Sequence, residues 1–242
     1  MAPESLLLGV PTLCRYDLLE QLIDSAERGS LKPRGYVIVD NGGKCPLEGP
    51  NITCIAPGRN VGVAAAWNLL LDHAGEEALV ISNDDIVFGP RTFEELVTGV
   101  ARHPFVSGLG FALFAQSPEC VKRVGFYDEN FWPAYYEDDD YAHRLRRAGI
   151  EPLSVLSEPV QHLGWATTRA LGDRASYIHE QREVNARYFE AKWGSSGAHY
   201  AEPFDGKPPQ GWAERHAGSA DKLSSTAAHS NSIQRASRSS QP

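Results

Sequence analysis

Three consecutive polar residues, Asn83-Asp84-Asp85, follow directly on the apolar run Leu79-Val80-Ile81 and Ser82. An apolar run that opens into carboxylates reads as a buried parallel strand delivering ligands at its C-terminal end, where open α/β sheets place them. Side chains alternate along an extended segment, so Asn83 and Asp85 are expected to face one way and Asp84 the other. Their oxygens form a hard donor set suited to Mg²⁺ or Mn²⁺, and such an ion could hold a diphosphate. Alone, the tripeptide fits a polar turn after a strand better than a metal site; the rest of the chain tips the reading.

A second group runs from aromatics into acids: Phe131-Trp132-Pro133-Ala134-Tyr135-Tyr136-Glu137-Asp138-Asp139-Asp140-Tyr141. Beyond it, Ala142 to Ala148 reads as helix, with Arg144, Arg146 and Arg147 in its last turns and Gly149 as the stop. Acids at the start and bases at the end suit the helix dipole without any function. The helical wheel nevertheless separates the acids. Asp138 shares a face with Tyr141, Ala142 and Leu145 and is expected to point inward, whereas Asp139 and Asp140 are expected to pair outward with His143 and the arginines. An inward carboxylate at a helix N-terminus is the odd one out. Phe131, Trp132, Tyr135 and Tyr136 offer flat apolar surface beside it, suited to stacking on a sugar ring, although at least two of them should be core. His162 stands alone after an extended stretch, a pattern more often structural than ligating.

The elements that must position these residues alternate along the chain. Leu6 to Val10 is a short strand stopped by Pro11. A helix follows, with Leu18, Leu19, Leu22, Ile23 and Ala26 on one face, Asp17 and Glu20 at capping-box spacing and Gly29 as the stop. Tyr36 to Val39 is a second strand, ending in Asp40-Asn41-Gly42-Gly43, so the unit is βαβ with a right-handed crossover. No G-x-G-x-x-G follows the first strand, which argues against a nicotinamide cofactor. Ile52 to Ile55 is a third strand, and Gly58-Arg59-Asn60-Val61-Gly62 leads into a helix ending near His73. After the Leu79 strand, Phe93, Leu96, Val97 and Val100 mark another amphipathic helix, closed before Pro104. Gly108 to Phe114 is expected to be a strand beside the site, with Val121 to Tyr127 as the segment after it. Ser176 to Trp193 reads as a final helix carrying Asn185, Tyr188 and Lys192. Four such units predict an α/β fold with a mostly parallel central sheet flanked by helices.

The 242 residues suffice for one large domain, expected over residues 1–200; the Gly, Pro, Ser and Ala composition beyond Pro203 predicts a disordered tail over 201–242. No apolar run approaches the ~20 residues of a membrane helix. The N-terminus lacks the features of a secretory signal, so the expected location is cytoplasmic. Cys14, Cys45, Cys54 and Cys120 show no C-x-x-C spacing, which argues against a zinc ribbon or redox motif. A net charge of −8 disfavours non-specific nucleic-acid binding.

With these segments placed, Leu6 to Gly194 resembles the bacterial and phage glycosyltransferases of family two, which share the GT-A nucleotide-diphospho-sugar transferase fold. The resemblance rests on several motifs in order. Val37-Ile38-Val39-Asp40-Asn41-Gly42 is similar to the strand whose terminal acid meets the nucleobase, which implies Asp40 as a base contact, with Thr12 and Arg15 as further lining. Asn60-Val61-Gly62 through Asn68 is similar to the family's N-x-G helix near the nucleotide. Asn83-Asp84-Asp85 stands where the family has D-x-D, with Asn in the first position. This implies Asp85 as the direct metal ligand and Asp84, with Asn83, as helpers for ribose, water or metal. Tyr136-Glu137-Asp138, followed by Arg144, resembles the E-D motif, whose second acid is the general base of inverting members; Glu137 is the runner-up. His162, with Trp165 and Thr167 behind it, resembles the late metal-binding histidine.

The implied reaction is a metal-dependent transfer of a hexose or deoxyhexose from a nucleoside diphosphate sugar to an acceptor hydroxyl, with inversion. Trp132, Tyr135 and Tyr136 are the expected acceptor contacts, and a nucleic acid enters only as a modified-base acceptor. Two rivals stand beside this reading. A sugar-phosphate nucleotidyltransferase on the same fold would want a glycine-rich basic loop after the first strand, where Pro11 to Tyr16 has no glycine and one arginine. A non-catalytic sugar- or nucleotide-binding module would not need carboxylates and histidine in all three places.

Overall fold

A computed structural model describes residues 4–164 and 175–193. The expected tail, and Trp165 and Thr167, lie outside the described residues. The first half of the chain is built from β1 (Leu7–Thr12), α1 (Tyr16–Glu27), β2 (Gly35–Asp40), β3 (Ile52–Ile55), α2 (Val63–Ala74) and β4 (Leu79–Ser82). These are followed by β5 (Ile86–Val87), α3 (Thr92–Val100), β6 (Phe105–Leu109), β7 (Leu113–Gln116) and α4 (Pro118–Val124). Then come α5 (Glu137–Arg147), β8 (Leu153–Ser154), β9 (Gln161–His162) and α6 (Ala175–Trp193). Seven strands form one sheet in the order β3-β2-β1-β4-β7-β6-β8, and β5 pairs with β9 in a separate ribbon.

Alternation along the strands sorts the core into two layers. Leu8, Val10, Tyr36, Ile38 and Val80 face one side, against Leu19 and Leu22 of α1 and Leu96 and Val97 of α3. Val37, Val39, Leu79 and Ile81 face the other, against Leu70 of α2 and Leu145 of α5. Both faces are therefore covered, which is why β2 is buried at every position and reads as continuously apolar rather than alternating. Beneath the C-terminal strand ends on the α2 side lies an aromatic cluster in which Trp67 meets Phe114 edge-on at 5.4 Å and Tyr127 stacks on Tyr141 at 4.0 Å.

The sheet is mostly parallel, with one inversion. β7 runs antiparallel to both β4 and β6. The expected single strand from Gly108 to Phe114 is in fact the end of β6, a turn with Gly110 at φ 52°, and the start of β7, folded as a hairpin. The Val121 segment is helical through Val124, started by Ser117, whose hydroxyl accepts from the Cys120 amide, and by Pro118 in the first turn. The capping box expected on α1 does not form. Asp17 lies inside the first helical turn and pairs with Arg15, at 2.8 Å from Nε and 2.7 Å from an Nη.

α5 begins earlier than expected, at Glu137, so all four acids lie within its first turn. Asp140 does not face outward. It is fully buried, bonded to Arg144 Nε at 3.0 Å, Trp193 Nε1 at 2.8 Å and Lys192 Nζ at 2.5 Å. The wheel assigned Asp140 to solvent because it considered α5 alone. In the fold, α6 covers the flank of α5 and buries this acid with cationic partners, as a buried carboxylate requires. Among the described residues, no helix is long and apolar enough to cross a membrane.

Candidate active site

At the C-terminal ends of β1 and β4 the chain encloses a cavity of about 400 Å³. Its first wall follows from strand register. β1 and β4 pair Gly9 with Ile81, and continuing that register brings Thr12 level with Asp84. Thr12 Oγ1 donates to Asp84 Oδ2 at 2.7 Å. Burial pushes the Asp84 carboxyl up to about 7, reinforced by the Asp85 charge and opposed by the Thr12 bond. Asn83, whose amide is tied to the Ala112 carbonyl at 2.8 Å, and Asp85 complete this wall.

His162 reaches the same wall through the small ribbon. β9 pairs Ile86 with His162, and the Leu163 amide donates to the Asp85 carbonyl at 2.9 Å. His162 Nε2 consequently stands 3.1 Å from Asp85 Oδ1, yet that oxygen is buried and makes no bond of hydrogen-bond geometry. Two facing donor atoms, a nitrogen and an orphaned carboxylate oxygen, fit a divalent cation better than they fit each other. No group of three or more His, Cys, Asp or Glu gathers in metal-holding geometry among the described residues. An ion held by Asp85 and His162 would thus keep positions for phosphate oxygens and water, as small hard cations do.

The second wall is the turn into α2. The Asn60 side chain accepts from the Gly62 amide and the Asn41 side chain from the Val61 amide, both at 2.9 Å. Gly62 has φ 85°, and a Cβ there would fall 2.7 Å from Trp132 Cδ1 and 2.9 Å from the Pro133 carbonyl oxygen. Glycine is required both for the left-handed backbone and for this close approach. The contact is sealed by the Val63 amide donating to the Pro133 carbonyl at 2.8 Å and by Trp132 Nε1 donating to the Asn60 carbonyl at 3.4 Å.

The third wall is the aromatic-to-acid segment, which crosses the cavity and enters α5. Tyr135 and Tyr136 both have left-handed backbone, at φ 76° and 74°, an unfavourable state for bulky residues. Tyr135, Glu137 and Asp138 line the cavity. Glu137 is 6% exposed and its Oε2 has no hydrogen-bond partner. Burial, with Asp138 next to it, holds the Glu137 carboxyl well above the usual glutamate range. Burial and the Asp139 charge also raise Asp138, which is only half-buried and accepts the Asp139 amide at 2.9 Å.

The fold thus gathers Thr12, Asn60, Asn83, Asp84, Asp85, Tyr135, Glu137, Asp138 and His162 around one cavity. Other expected contacts lie behind its walls. The Asp40 carboxylate accepts from Tyr16 Oη at 2.8 Å, the Gly42 amide at 3.0 Å and the Cys45 amide at 2.7 Å, so it organises the loop after β2 and is not part of the lining. The next residue, Asn41, does line it. Arg15 is paired with Asp17 away from the lining. Trp132 is core, 2% exposed and packed with Ile178, and the Tyr136 ring lies against Phe189 at 5.6 Å. Phe131 is fully buried as well. Asn68 is structural: its side chain bonds both the amide and the carbonyl of Tyr127, at 2.8 and 2.9 Å.

Sequence reasoning missed Asn41, Trp67 and Phe111 as lining residues. Trp67 carried a usable signal, because it stands one helical turn after Val63 at the cavity end of α2. Phe111 carried none, since the hairpin that presents it was read as a strand.

The family model described as Glycosyl transferase family 2 matches residues 8–138. A galactofuranosyl glycosyltransferase from Leishmania donovani is 30% identical over a 104-residue alignment that covers 36% of this chain and 24% of that protein. The matched part therefore spans about a quarter of that relative's length. The mannosyltransferase PcManGT from Pyrobaculum calidifontis, solved with GDP-Man and Mn²⁺, superposes with a TM-score of 0.56 at 19% identity, covering 98% of this chain and 78% of that one. Glucosyl-3-phosphoglycerate synthase from Mycobacterium tuberculosis, solved with Mn²⁺, UDP and glucosyl-3-phosphoglycerate, gives a TM-score of 0.54 at 12% identity, with 78% of this chain and 80% of that one covered.

Proposed function

Since the chain belongs to glycosyl transferase family 2, we propose that its cavity transfers a hexose or deoxyhexose from a nucleoside diphosphate donor to an acceptor hydroxyl, with inversion at the anomeric carbon. One observation carries this reading. Asp84 and Asp85 after β4, Glu137 and Asp138 at the start of α5, and His162 in β9 share a single cavity large enough for a sugar. The GDP-Man, UDP and Mn²⁺ bound by proteins of the same fold support it.

In this reading Asp85 and His162 would hold Mn²⁺ or Mg²⁺, which when bound offsets charge growing on the departing diphosphate. Asn41, Asn60 and Thr12 border the donor side, and Asn83 and Asp84 orient what lies between. Asp138 accepts the proton of the acceptor hydroxyl as it attacks from the face opposite the leaving group. Its raised pKa brings it nearer the proton it must take, which makes it a stronger base than a solvated aspartate. Glu137, whose carboxyl burial holds well above the usual glutamate range, is the weaker candidate for that role. Tyr135 offers its ring to the acceptor sugar.

A panel of nucleoside diphosphate sugars, incubated with Mn²⁺ and followed by release of the nucleoside diphosphate, tests the reading. Metal-dependent release from at least one donor is expected, together with an inverted product by NMR once an acceptor is supplied. Binding without turnover of any donor would favour a non-catalytic module, and a retained anomeric configuration would exclude single displacement.

A further inference from the structure

The family match ends at Asp138, so α6 lies wholly beyond it. One face of α6 nevertheless reaches into the segment that delivers the proposed base. Asn185, Tyr188 and Lys192, three and four residues apart, project from the same side of the helix. Tyr188 Oη and Lys192 Nζ bond Asp128 Oδ2 at 2.9 and 2.7 Å. Asn185, 2% exposed, donates from one side-chain nitrogen to two consecutive carbonyls, those of Ala134 and Tyr135, each at 3.0 Å.

Those carbonyls belong to the two peptide groups on either side of Tyr135, the first residue of the strained pair. Tyr135 and Tyr136 are the only non-glycine residues with positive φ among the described residues, and Tyr136 is the residue from which α5 starts. A bulky residue keeps left-handed backbone only where its surroundings fix it. If the pair relaxed toward ordinary φ, the start of α5 would shift and both carboxylates would leave their places in the cavity wall. Gly62 and Trp132 hold the outer end of the segment, through Pro133. At the inner end, the two carbonyl bonds from Asn185 oppose relaxation directly.

We propose that Asn185 is a positioning residue for the base: its amide, bonded to the Ala134 and Tyr135 carbonyls, locks the left-handed pair and so sets where Glu137 and Asp138 face the cavity. The inference rests on the reading of Asp138 as proton acceptor given above. It assigns to α6 a share in catalysis that contact with substrate would not reveal. It also separates two consequences of altering Asn185. Donor binding depends on walls that Asn185 does not touch and should persist, whereas turnover depends on carboxylate placement and should fall.

The test compares the full chain with Asn185→Ala and Asn185→Asp. The aspartate keeps the shape and removes the N–H donor, which tells a hydrogen-bonding role from simple filling of space. Three measurements are made: calorimetric binding of nucleoside diphosphates with Mn²⁺, steady-state release from the matching nucleoside diphosphate hexoses, and hydrogen exchange of peptides spanning residues 131–140. The expected result is a fall in kcat of roughly 10- to 100-fold in both variants, the range for lost hydrogen bonds that misplace a catalytic group. Donor KM and nucleotide affinity should stay within about twofold, and exchange should quicken in residues 131–140 while β1 to β4 are unchanged. Wild-type kcat in both variants would overturn the proposal, as would a loss in the alanine variant alone or an equal loss of nucleotide binding and turnover. If the unaltered protein neither binds nor turns over any donor, the functional reading fails instead. The exchange measurement still decides the positioning role, which unaltered exchange in both variants would sink.

Discussion

Glu137 and Asp138 are neighbours of similar chemistry, and their surroundings divide the work between them. Both line the cavity, but Asp138 is half-buried whereas Glu137 is 6% exposed with an unpartnered oxygen. Asp138→Asn should lower turnover at least ~10²-fold with donor binding intact, since the amide keeps the size but accepts no proton. Asp139→Asn, on an exposed side chain, should cost little in the same steady-state assay. Because burial and Asp139 raise the Asp138 pKa, the acid limb of kcat against pH should lie above the ordinary aspartate value of 3.8 and vanish in Asp138→Asn. Glu137 gives a prediction about stability. A carboxyl whose native pKa is raised contributes its full stability below the ordinary glutamate value of 4.5 and loses it as pH rises toward the native value. Glu137→Gln should therefore leave the urea midpoint near wild type at pH 4 and raise it at pH 8. An equal effect at both pH values would show that the buried carboxyl is not held neutral.

At the scale of elements, two connections place the chemistry. The β5–β9 ribbon sets His162 against Asp85, so Asp85→Ala and His162→Ala should each weaken Mn²⁺-dependent nucleoside diphosphate binding in calorimetry without changing the fold by circular dichroism. Undiminished, metal-independent binding by both would remove them as ligands. The turn into α2 is the other connection. Gly62→Ala places a methyl group where Trp132 and the Pro133 carbonyl already stand, on a backbone that alanine rarely adopts. A stability loss of about 1–3 kcal/mol is expected from strain at such a position, read from denaturant midpoints, with a matching fall in turnover because Pro133 leads into Tyr135. Ala64→Gly, in the first turn of α2 but outside this contact, should lose only the ~1 kcal/mol of helix propensity.

For the whole molecule, a buried polar network joins α6 to the body of the domain. Lys192 stands between the carboxylates of Asp128 and Asp140, both fully buried, while Arg144 and Trp193 bond Asp140 from other sides. Lys192→Met would leave two buried acids without their shared cation. Removing one partner of such a pair costs about 3–5 kcal/mol, which urea unfolding would register. Arg91→Ala, which breaks only the solvent-exposed contacts to Glu94 and Glu95, should cost below ~1 kcal/mol. Comparable losses in the two variants would mean that the network contributes no more than surface charge.

The sequence by itself determined the alternation of strands and helices from β1 to β4, the α3 helix after it, the parallel core of β1 to β4 and the presence of acids at the end of β4 and the start of α5. Those features are local: apolar period, glycine and proline stops, and charge at helix ends are written in adjacent residues. The helical wheel pointed Asp138 inward with Tyr141 and Leu145, whereas in the fold Glu137 is the buried one of the two neighbours and Asp138 stays half-buried at the cavity wall. What lay between elements was not legible. Asp140 looked solvent-facing until α6 covered it, and Asp40 looked like a site acid until two amides of its own loop and the Tyr16 hydroxyl of α1 engaged it. The β6–β7 hairpin that brings Phe111 to the cavity was hidden in a segment reading as one strand. His162 was offered as a ligand by resemblance alone, and the ribbon is what sets it beside Asp85; Trp132 proved to be core only when it met Gly62. Such outcomes depend on which surfaces meet, and a side chain's partners across the fold, unlike its neighbours in the chain, are fixed only by the closed tertiary structure.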